Sequence, residues 1–114
     1  MEEEFDVSEE NKEYMKNALD HVDIKIAVGI NDHTKDKLMD EAMCWAFYQI
    51  MVEKLAKKRD QGRGGWWNPD ECSIDYLKQL LVEHIEKGDM VDVANFAAMI
   101  YARESMEQQV LTGD

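Results

Sequence analysis

Residues 62–96 read GRGGWWNPDECSIDYLKQLLVEHIEKGDMVDVANF, and the punctuation of this stretch decides the fold. Its first part holds Gly62-Arg63-Gly64-Gly65, the adjacent Trp66 and Trp67, and the chain's single proline, Pro69. Its second part carries acids at three-residue intervals, Glu83, Glu86, Asp89 and Asp92, and ends at Asn95. On one continuous helix such steps drift slowly around the axis, because a turn takes about 3.6 residues. Gly88-Asp89 breaks the run in the manner of a helix stop followed by an N-cap. The acids therefore straddle two helices and bring carboxylates of both to one corner. Oxygen ligands so placed suit Mg²⁺, which takes few ligands from protein. Two ordinary solvated helix ends carry the same letters.

Working outward, Ile74, Leu77, Leu80, Leu81, His84 and Ile85 fall on one helical face that runs to about Lys87. Asn68-Pro69-Asp70-Glu71 has the form of a capping box, with proline at N1 where its missing N–H costs nothing; a restart at Ser73 is the other reading. Trp67 at N′ then staples onto Cys72 at N4. The tryptophans have a second reading, as platforms on which a base stacks. After Asp89, the residues Val91, Val93, Ala94, Phe96, Ala97, Ala98, Ile100, Tyr101 and Ala102 surround a further helix. Asp92 and Asn95 sit in this apolar run, where a buried carboxylate must be paired, hydrogen-bonded or metal-bound. From Arg103 onward the residues are polar, and fraying is expected.

Upstream, Ser8 caps a first helix with Tyr14, Met15, Ala18, Leu19 and Val22 at helical spacing. Residues 22–28 alternate as a strand does, but a lone strand has no partner in this chain, so helix is expected to continue to about Val28. Gly29 ends it. Thr34 or Asp32 caps a long second helix over roughly 34–60, apolar around most of its circumference between 38 and 56. Such breadth points to a central helix, and to self-association through it. Its end turns basic, with Lys54, Lys57, Lys58 and Arg59, and Arg63 beyond. Cations suit a helix C-terminus, and equally a phosphate group. The expectation is an all-α compact bundle of about four helices with a long central second helix. Residues 1–7 are an acidic tail, 8–104 a single helical domain and 105–114 a polar tail.

A chain of 114 residues with 45% hydrophobic residues is one domain's worth and should fold. The net charge of −12 disfavours direct binding to nucleic acid or to an anionic membrane. Cys44 and Cys72 make no disulfide framework and read as reduced thiols. The acidic start MEEEFD lacks the basic region of a signal peptide, so a cytoplasmic location is expected. No serine or cysteine stands in a nucleophile motif, and His21, His33 and His84 have no zinc spacing with the cysteines. His84, on an apolar face, reads as a hydrogen-bonded core histidine.

The segment from Lys58 to Ile100, with its Gly-Arg-Gly-Gly-Trp turn and its Lys-Gly-Asp-x-x-Asp-Val-Ala-Asn-Phe ending, resembles a segment of small tailed-phage proteins. The ending, Asp89 to Phe96, also resembles the last helix of MazG-like all-α nucleotide pyrophosphohydrolases. The phage-type match covers about residues 57–102. The MazG-like resemblance implies Mg²⁺ as cofactor, with Glu83, Glu86, Asp89 and Asp92 on the metal side and Asn95 contacting nucleotide. Lys57, Lys58 and Arg63 would meet phosphate oxygens, and Trp66 or Trp67 the base. The family's E-E-x-x-E helix has no clear counterpart: Glu9-Glu10-Asn11-Lys12-Glu13 matches in letters within an acidic tail.

A second functional class comes from residues 1–53, which hold 14 acids against 5 bases, a net −9. Glu2, Glu3, Glu4, Asp6, Glu9, Glu10, Glu13, Asp20, Asp23, Asp32, Asp36 and Asp40, if aligned on one face, would imitate duplex phosphates and bind and inhibit a basic host or defence protein, in the host cytoplasm for a phage-encoded chain.

Overall fold

A computed structural model describes residues 7–26 and 32–112. Among them the protein is all-α, with four helices: α1 (Val7–Ile26), α2 (Asp32–Asp60), α3 (Ile74–Lys87) and α4 (Met90–Thr112). The acidic stretch 1–6, the turn after Gly29, and the end of α1 at Val28 lie outside the described residues. Val22 to Ile26, which alternate like a strand, are helical. None of the helices is long and apolar enough to cross a membrane. The chain divides inside α2, between Ile50 and Met51, into two compact units.

In the first unit, Met15, Ala18, Leu19 and Val22 lie at helical spacing on the less exposed face of α1, and Val22 is buried. Ala46 and Ile50 are the buried residues of α2 there. The apolar circumference of α2 is left partly uncovered: Met43, Trp45 and Tyr48 are exposed, the last two with rings stacked at 6.1 Å between centroids.

The second unit is built around two helix stops of one kind. At the end of α2 the Gly62 N–H donates to Arg59 O and the Arg63 N–H to Lys58 O. At the end of α3 the Gly88 N–H donates to Ile85 O and the Asp89 N–H to His84 O. Both are Schellman motifs, whose C′ residue takes the left-handed conformation open to glycine; φ is +83° at Gly62 and +79° at Gly88. Asp89 closes α3 and also opens α4, since its Oδ1 accepts the Asp92 N–H at 3.1 Å. With no residue to spare between the two helices, α4 folds back along α3. Leu77 and Phe96 are buried in this unit.

Two boundaries differ from the sequence expectation. Asn68-Pro69-Asp70-Glu71 does not start a helix. Asn68 Oδ1 accepts the Asp70 N–H at 2.9 Å and Asn68 O accepts from Glu71 and Cys72, which makes a local turn. The cap of α3 is Ser73, whose Oγ accepts the Tyr76 N–H at 3.0 Å. At the other end α4 continues to Thr112 instead of fraying after Arg103. Arg103 is buried, and it pairs with Glu107 one turn on at 3.2 Å.

Candidate functional site

The second unit carries a cleft of about 670 Å³. The last turns of α2 and the loop after it form one side, with Leu55, Lys58, Arg59 and Gly62 to Trp67. The face of α3 from Tyr76 to Lys87 forms the other, and Phe96 and Met99 of α4 complete it. Four cations line it, Lys58, Arg59, Arg63 and Lys87, against one carboxylate, Glu83. The local charge is thus opposite in sign to that of the whole chain, which is −12. Aromatic rings sit among the cations: Trp67 is exposed, Trp66 half-buried, and Lys58 Nζ stands 5.6 Å from the Phe96 ring centroid. Pockets of this size, mostly apolar with a few convergent polar groups, are the usual form of a small-molecule site.

The loop that carries the tryptophans is fixed from α4. Arg103 Nη1 donates to Trp66 O at 2.8 Å and to Cys72 O at 2.6 Å. Lying 2% exposed, it satisfies two main-chain carbonyls that no helix or strand pairs. Reading the chain from Arg103 onward as a polar tail missed this residue. The available signal was spacing: Asp92, Phe96, Met99 and Arg103 recur at steps of four, three and four, one continuous stripe of α4.

Behind the cleft lies a half-buried charge network centred on the buried Asp92. Asp92 Oδ1 meets Lys54 Nζ at 3.3 Å and Lys58 Nζ at 3.2 Å, and its Oδ2 faces His84 Nε2 at 3.5 Å. The two ammonium groups meet Oδ1 as ion pairs, off the hydrogen-bond directions. Asp89 Oδ2 takes Lys54 as well, at 3.1 Å. Burial works to raise the Asp89 carboxyl's pKa, but hydrogen bonds from the Asp92 main-chain N–H and from Lys54, with the Lys54 charge, hold it below its ordinary value. His84 places Nδ1 2.8 Å from Leu80 O; a carbonyl only accepts, so Nδ1 is the donor of this hydrogen bond. Its ring meets Phe96 edge-on at 4.9 Å, as expected of a hydrogen-bonded core histidine. Lys58 and His84 occupy the equivalent C3 positions of the two Schellman motifs, and so arrive on either side of Asp92.

Of the residues the sequence singled out, Lys58, Arg63, Trp66 and Trp67 come together in the cleft. Arg59 and Lys87 join them. Lys57 is exposed and outside its lining. Asn95 is buried instead, its Nδ2 donating to Met51 O at 3.4 Å and its Oδ1 left without a hydrogen-bond partner. The four acids part company. Asp89 and Asp92 join the lysine network, Glu83 faces the cleft and accepts from Gln79 at 3.0 Å, and Glu86 is exposed. Among the described residues no group of three or more His, Cys, Asp or Glu is arranged to hold a metal ion. Mg²⁺ does not fit the carboxylates as placed, because both aspartates already face ammonium groups that a divalent cation would have to displace. On α1 and α2, Glu9, Glu10, Glu13, Asp20, Asp32, Asp36 and Asp40 are exposed, with Asp20 paired to Lys16 at 2.8 Å.

Comparison with known proteins finds no family model, characterised protein or solved structure that matches the chain. The functional reading therefore stands on the cleft.

Proposed function

We propose that this protein binds a nucleotide in the cleft of its second unit. The observation that carries the reading is the inversion of charge: four cations and one carboxylate, interleaved with two tryptophans, in a chain of net −12. Phosphate oxygens pair with Lys58, Arg59, Arg63 and Lys87, and a base stacks on an indole at the rim. The phage-type resemblance of residues 57–102 agrees in kind, since the same segment supplies the cations and the tryptophans. The loop clamp by Arg103 keeps the indoles in place before a ligand arrives, which lowers the ordering cost of binding.

Tryptophan fluorescence tests this, because two of the chain's three tryptophans line the cleft. Titration with ATP, GTP, CTP and UTP should give saturable quenching by at least one of them. The double variant Arg63→Glu, Lys87→Glu should weaken that binding by tenfold or more, on the order of 1.4 kcal/mol. Unsaturable, nucleotide-independent signals with all four would refute nucleotide binding.

A further inference from the structure

The cleft also specifies the form of its ligand. Resting on the nucleotide reading, we infer that the site takes the phosphate group as a metal-free anion, and that no divalent cation bridges ligand and protein. Three observations lead there. Phosphate charge has side-chain counter-ions already in the lining, Arg59, Arg63 and Lys87, with Lys58 shared between the cleft and Asp92. The two aspartates next to the cleft are committed to lysines: Asp89 to Lys54, and Asp92 to Lys54 and Lys58. Neither aspartate reaches the cleft wall, and only Asp92 is nearly excluded from solvent, with a side chain 6% exposed. That leaves Glu83 as the one carboxylate of the lining, and one carboxylate beside Arg59, Arg63 and Lys87 repels a bridging Mg²⁺ more than it attracts it. Mg²⁺ bound to the phosphates removes two units of negative charge from the ligand and weakens its attraction to these side chains.

Glu83→Gln gives the two possibilities opposite signs. Glu83 is exposed, so the substitution leaves the fold in place. In a metal-free site, loss of its charge removes a repulsion, and ATP binds more tightly. In a metal-bridged site, the same change removes a ligand and ATP binds more weakly. The experiment is an ATP titration of the full chain, wild type and Glu83→Gln, by tryptophan fluorescence, once in excess EDTA and once in excess MgCl₂. The expected result is binding in EDTA that MgCl₂ weakens on the order of fivefold, with Glu83→Gln tightening it on the order of twofold in EDTA. Binding seen only with MgCl₂, or weakened by Glu83→Gln, overturns the metal-free inference and leaves nucleotide binding standing. Absence of binding in both buffers overturns nucleotide binding itself, and this inference with it.

Discussion

Arg103 is a cation almost without solvent, and its nearest acceptors are main-chain carbonyls of a loop more than thirty residues earlier in the chain. Loops rarely have buried carbonyls without partners, because each unpaired group costs about 1–3 kcal/mol. Here one guanidinium nitrogen serves both Trp66 O and Cys72 O. Arg103→Met keeps the aliphatic stem and removes the donors. It should lower the unfolding free energy by about 2–4 kcal/mol, as read from the urea midpoint. Fluorescence should also report a more solvated Trp66. A midpoint within error of wild type would show that water replaces the guanidinium at no cost.

At the scale of elements, the junction of α3 and α4 concentrates three tasks in Asp89: closing one helix, capping the next and holding Lys54. Its folded pKa is depressed below the ordinary 3.8. A depressed carboxyl stabilises the fold above its unfolded pKa, and that contribution is lost as pH falls through the folded value. The wild type should therefore lose stability as pH drops below about 4. Asp89→Ala, already lacking cap and ion pair, should show a shallower fall over that range. At neutral pH the variant should be about 1–2 kcal/mol less stable, mostly from the lost cap. Parallel acid-side stability curves for the two proteins would show that Asp89 is not the group responsible.

For the whole molecule, charge and uncovered apolar surface oppose each other. Trp45 and Tyr48 are 61% and 56% exposed on α2, aromatic residues of the kind that anchor interfaces. At pH 7 the net −12 opposes close approach of copies, and that repulsion vanishes near the isoelectric point of about 4.6. Light scattering should give a rising average mass as pH is lowered from 7 toward that value. Trp45→Ser should reduce the rise, without a change in helix content by circular dichroism, since an exposed side chain carries little of the fold. A mass independent of pH, or a Trp45→Ser variant that associates as wild type does, would remove this helix face from any role in association.

Local sequence determined the all-α class, the Gly88-Asp89 break and the basic end of α2, because each rests on interactions within a few residues: a left-handed glycine, a side chain capping its own helix, cations at a helix C-terminus. It also brought Lys58, Arg63, Trp66 and Trp67 forward, in a set that included Lys57 and Asn95, which lie outside the cleft lining. Tertiary structure decided what the acids do. Four carboxylates at regular spacing look equivalent in one dimension, yet two meet lysines from α2, one faces the cleft and one faces solvent. Spacing along a helix does not say which neighbour arrives from more than thirty residues away. The same holds for Arg103, a polar letter after an apolar run until α4 folds back and sets it under the tryptophan loop. Whether a buried charge is a ligand, a counter-ion or a clamp depends on the partner that desolvates with it, and only the folded chain brings that partner to it.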